Sequence, residues 1–152
     1  QERFSAVRLN ILSKPRVLLE LAEEVVSMRE KMREHLAKGD AKNIDLKQDA
    51  GGIADIEFIV QFLLLAHTNA FPSLAKWPDN VRILANLARL SLITKAEADI
   101  LNQAYLEYRN YAHRLALQNA KLAAINPIII AHTAAINTAP ADISFMIPIF
   151  GL

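Results

Sequence analysis

Hydrophobic side chains recur every three or four positions through much of the chain, which is the period of an amphipathic α-helix. The clearest such segment is predicted from Arg16 to Ala37, with Pro15 in its first turn and Gly39 just past its end. Its expected inward face is Leu18, Leu21, Val25, Met28, Met32 and His35. The charged residues between them, Arg29 included, are interpreted as a solvated face, with a partner-docking surface as the alternative.

Three further helices follow from the same pattern. They are predicted over residues 1–12, 80–90 and from Thr94 to about residue 118. Asp79 is the expected N-cap of the second, and Thr94 with Glu97 forms a capping box at the start of the third. The third helix should contribute these core contacts: Ile100, Leu101, Ala104, Leu106 or Tyr108, Tyr111 and Leu115.

Residues 53–67 are apolar on nearly every side of a helix, which is typical of a buried element. We therefore predict an all-α fold, a bundle of about five helices with a central buried helix near 53–67. Residues 1–120 are assigned to this helical bundle domain, and residues 121–152 to a divergent apolar tail with a short helix near 128–136 as one option. The start within a helix and without Met indicates a fragment of a larger protein.

Composition and charge exclude several classes. The chain has 152 residues, 53% of them hydrophobic, which is enough for a folded core. A net charge of +1 argues against a nucleic-acid-binding protein, and no apolar run is long enough to span a membrane. No cysteine is present and no signal peptide is recognised, which fits a cytoplasmic protein.

The candidate chemistry lies between residues 47 and 61. Asp55 and Glu57 are two positions apart and cannot share one helix face, whereas Glu57 and Gln61 do share one. The structural interpretation makes Gly51-Gly52 a turn and places Asp55 at the positive helix start. It pairs Glu57 with an arginine of another helix, the candidates being Arg82, Arg89, Arg109 and Arg114.

The functional interpretation of the same stretch uses the backbone. The glycine loop would let a nucleotide or another domain approach closely, the helix N-terminus would suit phosphate, and Lys47 would add a cation. The histidines (His35, His67, His113 and His132) have no metal-ligand spacing and are given structural roles. No catalytic residue and no metal site is predicted within the chain.

These residues resemble a known family. The run from Leu46 to Gln61, with Gly51-Gly52-Ile53 and Asp55-Ile56-Glu57-Phe58, is similar to the glutamine synthetase adenylyltransferases, which add AMP to glutamine synthetase and remove it. Three other segments agree in order: residues 28–36, 77–84 and 115–118. The similarity covers roughly residues 1–120 and implies the helical domain that follows a nucleotidyltransferase domain, of the C-terminal, adenylylating half.

The resemblance also implies where the chemistry lies. The family's Gly-Ser turn and Asp-x-Asp pair, which hold metal and ATP phosphates, have no counterpart here. ATP and Mg²⁺ are therefore implied for the parent enzyme, with no cofactor bound by the fragment, and the isolated chain is expected to be inactive. The implied partners are the upstream nucleotidyltransferase domain, glutamine synthetase and PII protein.

Three functions stay open at this point. The chain is a part of an enzyme whose candidate residues (Lys47, Gly51, Gly52, Asp55, Glu57 and Gln61) face a cleft or domain interface. Alternatively it is a non-catalytic interaction or regulatory module that binds PII protein or glutamine synthetase. The third option is an unrelated helical scaffold.

Overall fold

The computed structural model describes residues 2–36 and 45–117, which form five α-helices and one 3-10 helix. The α-helices are α1 (Glu2–Leu12), α2 (Leu18–Leu36), α3 (Ile53–His67), α4 (Asn80–Arg89) and α5 (Lys95–Leu117), and the 3-10 helix, Pro72–Lys76, precedes α4. The predicted all-α fold is confirmed. The predicted stop at Gly39, the tail from residue 121, its optional helix near 128–136 and His132 lie outside the described residues.

Helix α3 lies at the centre of the bundle, as its all-round apolar pattern predicts. It packs against α2, α4, α5 and the 3-10 helix. Nine of its residues are buried: Ile53, Ala54, Asp55, Ile56, Ile59, Val60, Phe62, Leu63 and Leu64. Because burial of aliphatic side chains is the dominant favourable term in folding, this helix anchors the core.

Two predicted helix caps are confirmed. The Asp79 carboxylate accepts a hydrogen bond from the Arg82 N–H at 3.0 Å and starts α4. At α5 the Thr94 N–H donates to Glu97 Oε2 at 2.6 Å, while the Glu97 N–H donates to Thr94 Oγ1 at 3.2 Å. Each reciprocal bond satisfies a backbone donor that the first helical turn leaves unpaired.

Helix α2 differs from its prediction in two ways. It begins at Leu18, so Pro15 lies before the helix and not in its first turn. Its face toward α3 is narrower than predicted and follows a spacing of four through Leu21, half-buried Val25 and Arg29. Leu18 and Met28, both predicted to face inward, are more than half exposed. The predicted solvated position of Arg29 is wrong, since its side chain is buried.

Leu106 and Tyr108 were predicted as alternatives for one core contact of α5, and the structure has Tyr108 there. Tyr108 is buried, whereas Leu106 is 47% exposed. Burial raises the pKa of Tyr108 to about 12, and the neighbouring Glu107 carboxylate acts in the same direction. The phenol therefore stays neutral at any physiological pH, as a core position requires.

Helix α1 packs against the 3-10 helix, and one arginine adds hydrogen bonds at this contact. The Arg8 guanidinium donates to the Ala75 carbonyl at 2.8 Å and to the Trp77 carbonyl at 2.7 Å. Phe4, Val7 and Ile11 of α1 are each more than half exposed. Within residues 2–36 and 45–117 no helix combines the length and apolarity that crossing a membrane needs.

Candidate functional site

The glycine pair closes a tight loop at the start of α3. Gly51 has a φ of 78°, a left-handed conformation that glycine adopts without steric cost. A Cβ on Gly52 would lie 2.6 Å from the Leu46 carbonyl oxygen and 2.9 Å from that of Asp49. Gly51 is therefore favoured by its backbone conformation, and Gly52 by the close approach of two backbone carbonyls.

The backbone donors of this loop are used inside the chain. The N–H groups of Gly52, Ile53 and Ala54 donate to the carbonyls of Asp49, Leu46 and Lys47, at 3.0, 2.9 and 3.1 Å. The Gly51 N–H donates to Asp55 Oδ2 at 2.7 Å. These are the groups that a helix N-terminus would present to a phosphate, and here each already has a partner.

Asp55 joins this loop to α2 and α3. Its Oδ1 accepts from Arg29 Nε at 2.5 Å, and Arg33 Nη2 lies 3.4 Å away. Arg29 Nη2 donates in turn to the Gln48 carbonyl at 2.7 Å, so one guanidinium holds both the carboxylate and the loop. Arg29 is 1% exposed and Asp55 0% exposed. We call Arg29, Gly51, Gly52 and Asp55 the buried hub.

Burial and charge act on Asp55 in opposite directions. Removal from water raises the pKa of its carboxyl, and the Arg29 guanidinium, the Gly51 N–H and Arg33 each oppose that effect. The net direction is upward. An arginine stays protonated at any accessible pH, so the hub depends on the carboxylate to balance a charge that cannot be removed.

Of the two carboxylates of α3, Asp55 has arginine partners and Glu57 does not. Glu57 is half-buried and accepts a hydrogen bond from the Tyr105 hydroxyl at 3.1 Å. Among the described residues it forms no ion pair, so the predicted pairing with Arg82, Arg89, Arg109 or Arg114 is wrong. Arg109 reaches Glu57 only through the tyrosine, because its Nη1 donates to Tyr105 Oη at 3.3 Å.

Glu57 and Gln61 line an open groove of about 570 Å³ between α3, α5 and the start of α4. We call it the α3–α5 groove. Its walls are formed by Glu57, Gln61, Pro78, Asp79, Asn80, Val81, Tyr105, Leu106, Arg109, Asn110 and His113. Tyr105, Arg109 and His113 are four residues apart and form one stripe along α5.

Five of the six candidate residues are therefore divided between two places. Gly51, Gly52 and Asp55 belong to the buried hub, and Glu57 and Gln61 to the α3–α5 groove. Lys47 is exposed beside the hub and contributes its backbone carbonyl to the loop. The division follows from helical geometry, because positions two apart on α3 point in nearly opposite directions. Whether any of the six faces a catalytic cleft or another domain stays a prediction.

The described histidines lie on three different helices. His113 lines the groove, His35 is exposed, and His67 is half-buried with its pKa lowered by burial. Across the described ranges, no three side chains of the His, Cys, Asp or Glu types are grouped so that they could hold a metal ion.

Comparison with known proteins identifies the family. A family profile described as GlnD PII-uridylyltransferase matches residues 26–123, which include both the buried hub and the α3–α5 groove. The chain belongs to this family. The resemblance to glutamine synthetase adenylyltransferases is confirmed by its relatives.

Those relatives carry the name bifunctional glutamine synthetase adenylyltransferase/adenylyl-removing enzyme. The protein of Shewanella loihica is 52% identical over 118 residues, which is 78% of this chain and 12% of the relative. That of Pseudomonas aeruginosa is 47% identical over 130 residues, 78% of this chain and 13% of the relative. That of Pasteurella multocida is 46% identical over 117 residues, which is 77% of this chain and 12% of the relative. The chain thus spans about an eighth of the relatives' length.

The sequence pattern did not predict the role of Arg29 in the hub. It also did not predict that Tyr105, Arg109 and His113 line the groove. A signal for both was present. Arg29 continues the four-residue spacing of Leu21 and Val25, which places it on the buried face of α2. Tyr105, Arg109 and His113 repeat the same spacing on α5, and a polar stripe beside an apolar one indicates a surface that borders the core.

Proposed function

We propose that the chain is the helical, non-catalytic domain of a glutamine synthetase adenylyltransferase, an enzyme that transfers AMP from ATP to glutamine synthetase and removes it. The support is the sequence identity of 46–52% to enzymes of that name across most of the chain. In this proposal the domain follows a nucleotidyltransferase domain in the C-terminal, adenylylating half of a cytoplasmic protein.

ATP and Mg²⁺ act outside this domain. The sequence has no Gly-Ser turn and no Asp-x-Asp pair, and the glycine loop uses its own N–H donors internally. A nucleotide phosphate and its metal would find neither free backbone donors nor paired carboxylates there. In this proposal the upstream nucleotidyltransferase domain supplies the phosphate donors and the metal-binding carboxylates, and the helical domain packs beside it.

An adenylylation assay tests the division of labour. Glutamine synthetase is incubated with Mg²⁺ and ATP labelled in its α-phosphate, with either the 152-residue chain or the complete parent enzyme. Label should enter glutamine synthetase only with the parent enzyme. Turnover above background by the isolated chain would contradict the proposal.

A second assay tests whether the groove serves the catalytic domain. In the parent enzyme Glu57→Gln removes a half-buried charge that faces the groove, and transfer should fall while the thermal unfolding midpoint stays unchanged. The matched control is Asp99→Asn, the same chemical change at a 61% exposed position of α5 outside the groove. Equal transfer by both variants would contradict a role of Glu57 in the cleft.

One observation favours a second candidate, an interaction or regulatory module that binds PII protein or glutamine synthetase. The loop donors that would serve a nucleotide are all used, whereas the α3–α5 groove is open and carries mixed charges. The immobilised chain should then retain one of these two proteins in a surface-binding assay. Failure to retain either, together with loss of transfer in Glu57→Gln, would favour the cleft.

A further inference from the structure

The α3–α5 groove contains a carboxylate that forms no direct ion pair with any described residue. Glu57 is half-buried, and within the described part of the chain its only hydrogen-bond partner is the neutral Tyr105 hydroxyl. Asp79, the other carboxylate of the groove, is already paired with Arg82. A half-covered carboxylate loses part of its hydration, and a cation supplied from outside would restore the balance.

The remaining polar groups of the groove match a polypeptide better than a nucleotide. Gln61, Asn80 and Asn110 each carry a side-chain amide, which offers both donors and an acceptor, as the backbone of an extended peptide requires. Arg109 is one exposed arginine that is already bonded to Tyr105. Arginine is the side chain best suited to bidentate phosphate recognition, and Arg109 is the one arginine among the lining residues.

The apolar part of the groove fits the stem of a long basic side chain. Pro78, Val81 and the 47% exposed Leu106 lie on its walls beside the polar groups. A lysine or arginine buries its methylene groups along such a surface while its charged end reaches a carboxylate. The volume of about 570 Å³ is sufficient for a few residues of extended chain.

From these contacts we infer that the α3–α5 groove binds an extended segment of a partner polypeptide and places a lysine or arginine of that segment against Glu57. The side-chain amides of the groove hold the backbone, and the Tyr105 hydroxyl fixes the Glu57 carboxylate by donating to it. Arg109 lies on the other side of Tyr105, so it repels a second basic residue and sets the direction of the segment. This inference goes beyond AMP transfer and does not depend on it.

The test uses the complete 152-residue chain and a library of random decapeptides displayed on beads. The chain is labelled, bound beads are sequenced, and dissociation constants of the enriched peptides are measured by the fluorescence of Trp77. Trp77 is the only tryptophan of the chain, and its neighbour Pro78 lines the groove. Enriched peptides should contain lysine or arginine, and replacing that residue by norleucine should weaken binding about tenfold or more.

Two variants of groove residues should change the peptide dissociation constant in opposite directions, and together they test whether the peptide binds in the groove. Glu57→Gln should weaken binding about tenfold or more, because the carboxylate is lost while an acceptor remains. Arg109→Gln should strengthen binding of the same peptides, since it removes a like charge on the other side of Tyr105. Asp99→Asn, outside the groove, should leave the dissociation constant unchanged. Circular dichroism checks that each variant has kept its fold.

Several outcomes would overturn the inference. They are no enrichment at all, enrichment of acidic peptides, or binding that Glu57→Gln leaves unaltered. A change of Trp77 fluorescence on titration with AMP or ATP that is abolished in Glu57→Gln would assign the groove to a nucleotide instead. None of these results involves AMP transfer, so they are independent of the adenylylation assays.

Discussion

The buried hub and the α3–α5 groove each contain one carboxylate of α3, yet they differ in what surrounds the charge. Asp55 in the hub is 0% exposed and has an arginine partner, while Glu57 in the groove is half-buried and has a hydroxyl partner. The hub satisfies its charges within the chain and holds three segments together. The groove leaves a charge available to something outside the chain.

That difference leads to different predictions for the two carboxylates of α3. A charge compensated inside the core is expensive to disturb, because removing one partner leaves the other buried and unpaired. A charge at a groove is cheap to disturb, since water can replace the lost partner. Stability measurements should therefore respond to the hub, and binding measurements to the groove.

The largest effect is expected from removing the arginine of the hub. Arg29→Met leaves the Asp55 carboxylate buried without its main counter-charge, and the free energy of unfolding should fall by about 3–5 kcal/mol. Urea denaturation at pH 7 measures it. The control Arg89→Met changes an exposed arginine of α4 and should stay within about 0.5 kcal/mol. A loss no larger than the control's would remove the distinction between the regions.

The pH dependence of the same variant sharpens this test. Burial raises the pKa of Asp55, and without Arg29 the largest opposing effect is gone. A carboxyl whose pKa is higher in the folded than in the unfolded state stabilises the fold most below its unfolded pKa, and this contribution is lost as pH rises. The loss of unfolding free energy in Arg29→Met, measured against the wild type at the same pH, should therefore be smaller at pH 4.5 than at pH 7.

The second largest effect is expected at Gly52. A Cβ there would lie 2.6 Å from the Leu46 carbonyl oxygen, and backbone on both sides must move to accept it. Gly52→Ala should cost about 1–3 kcal/mol, as overpacking in a tight core does. The neighbouring exposed position gives the control, Ala50→Ser, with little expected change. Unaltered stability in Gly52→Ala would show that the loop can open at no cost.

A smaller effect on stability is expected in the groove. Tyr105→Phe removes the hydroxyl that donates to Glu57 at 3.1 Å and accepts from Arg109 at 3.3 Å. Because both partners can turn to water, the loss should be about 1 kcal/mol. Thermal unfolding of the variant measures it. A loss as large as that of Arg29→Met would place this tyrosine network among the elements that hold the fold.

The smallest effect concerns His67 at the end of α3. Burial lowers its pKa in the folded state, so the unfolded chain binds a proton first as the solution is acidified. Stability should therefore decrease from pH 7.5 to pH 5.5, and His67→Gln should reduce that decrease. His35→Gln, at an exposed position, should leave it unaltered. The measurement is urea unfolding of all three proteins at both pH values.

Local patterns along the chain were enough to predict the helices and several of their ends. The all-round apolar run predicts α3 as the central element with the bounds that the structure has, and Asp79 and the Thr94–Glu97 capping box predict the starts of α4 and α5. These features depend on residues within one or two turns of each other. The capping hydrogen bonds join residues that are close in sequence, so a local pattern is enough to predict them.

Tertiary structure alone decided which partner each carboxylate has. Asp55 and Arg29 are separated by 26 residues, and Glu57 and Tyr105 by 48, so no local pattern links them. The arginines that appeared available to Glu57 lie on α4 and α5, but Glu57 is bonded to Tyr105 of α5. The contact of α2 with α3 brings Arg29 to Asp55. The sequence by itself determined that α3 carries two carboxylates on opposite faces. The packing of α2 and α5 around it determined that one is sealed in the hub and the other open to a partner.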